Sequence, residues 1–121
     1  MHPAVAAYEA AYESGDPHQV AAHVSSAFSV DGALVSPWLA GPVVRHDAIT
    51  THVLRTRERL AGTSARHTSA VERVGDMLRW TWGFEQDGAI VDEGMDVAVL
   101  PADGRMTLLV VFDGAAPPPI C

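Results

Sequence analysis

Between Met77 and Gln86 the chain alternates cleanly: Leu78, Trp80, Trp82 and Phe84 fall on one face, and Arg79, Thr81 and Gly83 on the other. That period of two predicts a strand with one buried face. Asp87-Gly88 follows as a hairpin signal, and Ala89 to Leu100 reads as the partner strand. Asp103-Gly104 marks another hairpin before a last strand from Met106 to Phe112. Ala65 to Val74 has a mixed pattern and is read as a further strand of the same antiparallel meander.

The first half has a different period. Val5, Tyr8 and Tyr12 recur at helical spacing in a helix from Pro3 to Ser14, where Gly15 is expected to stop it in a left-handed conformation. Asp16 then caps a second helix that Pro17 starts, with Val20, Val24, Ala27 and Phe28 on its apolar face. Asp31-Gly32 predicts a turn, Ala33 to Ser36 a short strand, and Trp38 to Pro42 a loop. A third helix fits Asp47 to Ala61, with Asp47 as N-cap, Ile49, Val53 and Leu60 as its apolar stripe and Gly62 as its end. Helices segregated from an antiparallel sheet give an α+β fold. One domain is expected over residues 1–114, and the tail 115–121, with three successive prolines, is expected to be disordered.

Composition narrows the function classes. The chain has 121 residues, 48% of them hydrophobic, enough for one packed core. Its net charge of −7, with arginine as the sole cation besides histidine, opposes a phosphate backbone and argues against nucleic acid as partner. No basic cluster reads as a membrane patch, and no apolar run approaches the roughly 18 residues that span a bilayer. No signal peptide is recognisable, and the single cysteine, Cys121, permits no internal disulfide, so a cytoplasmic protein is expected. The histidines have no metal-ligand spacing, and no phosphate loop, dinucleotide fingerprint or nucleophile elbow occurs, so neither metal nor cofactor is expected.

An ordered set of short pieces then carries a resemblance. Ala7-Tyr8 leads to Ser14-Gly15-Asp16; Asp31-Gly32-Ala33 and Gly41-Pro42 precede Asp47-Ala48-Ile49; Trp80-Thr81-Trp82-Gly83-Phe84, Gly94-Met95-Asp96-Val97, Asp103-Gly104-Arg105 and Val111-Phe112-Asp113-Gly114 complete it. With these spacings the chain resembles the NTF2-like superfamily, and within it the SnoaL-like polyketide cyclases and ketosteroid isomerases. The resemblance implies a cone, in which a strongly curved antiparallel or mixed sheet wraps a long helix, with two further N-terminal helices. It also implies a deep pocket for a hydrophobic small molecule, and a homodimer formed by the outer sheet face.

The residues give that pocket a chemistry. Asp96 sits in an apolar strand, sharing a face with Ala98 and Leu100. A desolvated aspartic acid is pushed towards its neutral form and can donate a hydrogen bond to a developing enolate; ketosteroid isomerase, which the resemblance brings in, is a worked case of it. There a tyrosine at the position of Tyr8 completes the oxyanion hole, so Asp96 is expected as acid and Tyr8 as its partner. The acids that relatives use elsewhere are replaced here by Ser36, Thr81 and Val110. A base must therefore come from a histidine, His52 or His67. Trp38, Trp80, Trp82, Phe84, Ala98, Val110 and Phe112 are expected to line the pocket. Three readings stand: an acid–base isomerase, aldol cyclase or dehydratase acting on a carbonyl or polyketide-like compound; a non-catalytic binder of hydrophobic small molecules; or a dimerisation or scaffolding module whose pocket is filled by its own side chains.

Overall fold

The computed structural model describes residues 2–101 and 104–114. Three helices, α1 (Pro3–Glu13), α2 (Pro17–Ala27) and α3 (His46–Arg59), accompany seven strands: β1 (Phe28–Val35), β2 (Val43–Val44), β3 (Ser64–His67), β4 (Glu72–Val74), β5 (Met77–Gln86), β6 (Ala89–Val99) and β7 (Met106–Asp113). The strands form one mixed, curved and unclosed sheet in the order β2-β1-β7-β6-β5-β3, with β4 also on β5. All pairs are antiparallel except β1 with β7, which is parallel. This is the expected α+β cone.

Local chemistry sets most boundaries. Asp16 caps α2 by accepting from the His18 amide at 3.0 Å, and Pro17 opens the helix. Asp87 and Gly88 both have positive φ, 52° and 81°, as a two-residue hairpin twisted like its strands demands. α1 lies across β3, where the Glu13 carboxylate accepts from the Ala65 amide at 2.8 Å. α3 is anchored to β1 by His46 Nε2, which lies 2.8 Å from the Phe28 carbonyl oxygen.

Several expectations fail for identifiable reasons. Gly15 is not left-handed; α1 ends at Ser14, whose backbone turns extended and whose amide closes on the Ala10 carbonyl. Phe28 opens β1 instead of closing α2, and β1 runs straight through Asp31-Gly32. The two residues are absorbed by a register irregularity between Phe28 and Ala33, so turn chemistry serves a bulge inside a strand. Asp47 sits in the first turn of α3; the cap is Arg45, at φ 81°. Leu60 lies beyond that helix, whose buried face is completed by His52 and Thr56. The mixed segment after Ala65 splits into β3 and β4 around residues 68–71. Asp103 and the tail from Ala115, Cys121 included, lie outside the described residues.

Candidate active site

The pairing register lays the inner face of the sheet out in rows, because directly paired antiparallel residues share a face. Leu78, Ala98 and Leu109 form one row; Trp80, Asp96 and Val111 the next; His67, Trp82, Gly94 and Asp113 a third; Ala65, Phe84 and Asp92 a fourth. The first row is solid core, with Ala98 and Leu109 fully buried. The other rows open into a narrow cavity of about 500 Å³, counted out to its mouth. Its walls include Tyr8, Glu9 and Tyr12 from α1, His52 and Thr56 from α3, and Trp38 from the loop after β1.

Asp96 lies at the base of this cavity, 3% exposed. Its Oδ1 accepts a hydrogen bond from Trp82 Nε1 at 3.0 Å. Burial pushes its carboxyl up to about 8, against the smaller opposing effect of that hydrogen bond. The group is thus mostly a neutral acid near pH 7, able to donate. Gly94 makes the arrangement possible: a Cβ there would collide with the Trp82 ring and the Phe112 carbonyl. The absence of a side chain lets the indole lie over β6 and reach the carboxyl.

His67 projects from β3 with Nε2 2.6 Å from Glu9 Oε2, an ion-pair contact whose geometry is not that of a linear N–H···O bond. Its ring tilts against Trp80 at 5.8 Å between centroids, and its Nδ1 is buried without a partner. Burial lowers its pKa and the Glu9 carboxylate opposes that shift. His52 is also held neutral, first by burial and then by Arg59 and Arg55, and its Nε2 has no partner. Two neutral imidazoles and one neutral carboxyl therefore share the cavity.

Tyr8 does not pair with Asp96. Its hydroxyl bonds to Tyr12 at 2.8 Å, because residues four apart on α1 sit one above the other. Burial raises the pKa of both phenols, so they remain neutral. Edge-to-face contacts continue from Tyr8 to Tyr12, Tyr12 to Phe84 and Phe84 to Trp82, giving one continuous aromatic wall.

Eight of the expected residues meet at this cavity: Asp96, Tyr8, His52, His67, Trp38, Trp80, Trp82 and Phe84. Three do not. Ala98 lies below the floor, sealed between Leu78 and Leu109. Val110 and Phe112 occupy the opposite face, and Phe112 is 56% exposed; Val111, paired with Asp96, lines the cavity in their place. A one-residue change of parity reverses a strand's faces. The same parity puts Thr81 on the outer face, where its hydroxyl meets that of Thr68 at 2.7 Å. Glu9, Tyr12, Thr56 and Val111 are among the site residues that sequence reasoning missed. Tyr12 carried a signal in its spacing from Tyr8; Glu9 carried none, since its partner is 58 positions away. Among the described residues, no group of three or more His, Cys, Asp or Glu side chains could hold a metal ion. No helix among them is long and apolar enough to cross a membrane.

No protein-family model matches the sequence, and no curated protein matches it. Solved structures do match. A SnoaL-like family protein from Agrobacterium tumefaciens, provisionally described as an isomerase, aligns at TM-score 0.83 and 22% identity, over 93% of this chain and 95% of that one. A protein with a ketosteroid isomerase-like fold from Catenulispora acidiphila, in complex with trimethylamine, aligns at 0.68 and 18% identity, over 90% and 83%. A provisional polyketide cyclase from Sinorhizobium meliloti gives 0.66 and 16%, over 90% and 93%. At such identities the likeness establishes shared architecture and leaves chemistry to the residues.

Proposed function

Starting from a chain with the SnoaL-like, ketosteroid isomerase-like fold, we propose a cofactor-independent acid–base enzyme for small hydrophobic carbonyl compounds, acting by isomerisation, aldol cyclisation or dehydration. The observation that carries this reading is a neutral, buried Asp96 carboxyl in the same aromatic cavity as the Glu9–His67 pair. Glu9 lies against Nε2 of the imidazole, which leaves Nδ1 as the nitrogen to take a proton from carbon next to the carbonyl. Asp96 donates to the oxygen on which charge develops. β3 and β6 are separated by β5, so base and acid stand on strands roughly 10 Å apart, with the Trp80 and Trp82 rings of β5 between them as the floor against which a small substrate would lie. Proton removal at one end and delivery at the other suit allylic isomerisation or loss of water.

The test is solvent deuterium uptake at carbon by a panel of cyclic ketones, enones and β-hydroxyketones, followed by NMR. Wild type is expected to exchange protons well above buffer alone, and His67→Gln and Asp96→Asn each to fall by about 10²-fold or more. Exchange at the buffer rate across the panel removes the enzymatic reading.

A second reading, ligand binding without turnover, is favoured by Ser36, a buried hydroxyl at a position where the resemblance implies an acid. Recovery of a bound ligand unaltered after long incubation supports it. The outer sheet face carries exposed Val35, Val44 and Phe112 beside half-buried Leu108 and Val110. A homodimer through this face is part of the proposal. Sedimentation is expected to give twice the chain mass for wild type and one chain mass for Phe112→Glu; a monomeric wild type at micromolar concentration rejects it.

A further inference from the structure

Arg59, the last residue of α3, packs over Trp38, a residue of the cavity wall, and is held less tightly than the hydrogen-bonded arginines of the sheet. Its guanidinium lies 4.3 Å above the Trp38 ring, which itself lines the cavity. Its charge reaches inside: Arg59 lowers the pKa of His52 and acts in the same sense on Tyr12. Yet its donors are unspent. Arg79 grips Glu72 through two hydrogen bonds, Arg66 bonds Glu85, and Arg73 bonds two backbone carbonyls. Among the described residues Arg59 makes no hydrogen bond, and its one ion-pair partner there, Asp92 Oδ2, is 3.8 Å from Nη1, too long for a hydrogen bond.

Asp92 shares its surroundings with a second carboxyl. Burial and the neighbouring Asp113 carboxyl push its pKa up to about 6, against the opposing pull of its bond from the Glu93 amide and of Arg59. A guanidinium held over an indole, its N–H groups without hydrogen-bond acceptors among the described residues, matches a carboxylate presented from solvent or from a ligand.

We propose that Arg59 is the receptor for a carboxylate on the substrate, so that the ligand class is a small acid: an apolar body that enters the aromatic cavity and an anionic end that stays at the mouth. This rests on the reading of the cavity as a ligand site and adds the recognition of one end of the ligand. The geometry separates the two ends. Inside, the Glu9 carboxylate repels an anion; at the mouth, Arg59 attracts it in competition with Asp92. The carboxylate therefore sets the direction of entry, placing the carbonyl-bearing body against Asp96 and His67.

A matched pair of probes tests it: 3-phenylpropanoate and 3-phenylpropan-1-ol, titrated near pH 7 against the full chain by calorimetry and by tryptophan fluorescence. The acid is expected to bind about tenfold or more tighter than the alcohol. Arg59→Gln is expected to remove that preference while leaving the alcohol within about twofold of its wild-type affinity. Asp92→Asn, which removes the competing carboxylate, is expected to tighten the acid severalfold and not the alcohol. Equal binding of acid and alcohol, or a preference that survives Arg59→Gln, overturns the proposal and leaves the cavity reading intact. Failure of both probes to bind overturns both together.

Discussion

The inner face of the sheet has two ends built from the same strands in the same register, and they do opposite things. At the Leu78–Ala98–Leu109 end, aliphatic side chains of graded size interlock and leave no space. Two residues further along each strand, the row Trp80–Asp96–Val111 places a carboxyl among rings, and the next row, with His67, Trp82 and Gly94, opens the cavity. Backbone geometry is shared, so the difference lies in side-chain volume and polarity alone. Large flat rings do not interdigitate as branched aliphatics do, and they leave gaps where polar atoms sit without water. One end supplies stability and the other holds a costly ionisable group that the first can support.

The largest expected effect breaks the packed end. Leu109→Ala leaves a cavity in the solid row and should cost about 2–5 kcal/mol by urea unfolding, with probe binding at the other end unchanged.

Next comes the buried acid. Asp96 holds its proton up to about pH 8 in the folded chain, and only to about 4 in an unfolded one. The folded state binds more protons in that window, so the contribution of Asp96 is complete below about pH 4 and is lost as pH rises towards 8. Asp96→Asn keeps an acceptor for the Trp82 indole and removes the titration. Against this variant, wild type should lose on the order of 3 kcal/mol between pH 5 and pH 8. Parallel unfolding curves at the two pH values would show that the carboxyl is not desolvated.

Gly94→Ala sharpens the contrast at the contact between the rows. The added methyl meets the Phe112 carbonyl of the paired strand as well as the Trp82 ring, so β7 must shift, and it should cost the upper end of about 1–3 kcal/mol, with a change in tryptophan emission that Leu109→Ala does not give. The smallest effect is electrostatic: Glu9→Gln removes the charge that opposes desolvation of His67. NMR titration should show that imidazole losing its proton at lower pH than in wild type, and an unchanged or raised midpoint would contradict the pairing.

Legibility in the sequence follows the same division. Alternation over Met77–Gln86 located the aromatic wall, and Asp96 stood out as one acid in an apolar strand, because both signals are local to one strand. Phe112 and Val110 were placed on the wrong face because nothing in the uninterrupted apolar run Leu108–Val111 marks parity; pairing with β6 decides it. Asp31-Gly32 carries real turn chemistry, but the two neighbouring strands hold β1 extended on both sides of it. Glu9 and Arg59 look like solvated helix positions. Their roles arise only when α1 crosses β3 and when the loop carrying Trp38 folds over the end of α3.

The parallel pairing of β1 with β7 has a consequence for how the chamber comes into being. β7 is last in chain order yet sits centrally, between a strand that begins at Phe28 and one that ends at Val99. During synthesis every other strand leaves the ribosome first, with β1 waiting for a neighbour more than seventy positions downstream, a slow and entropically demanding closure. β7 also sets Val111 directly opposite Asp96, so the strand that joins the two halves of the sheet is the one that shields the carboxyl.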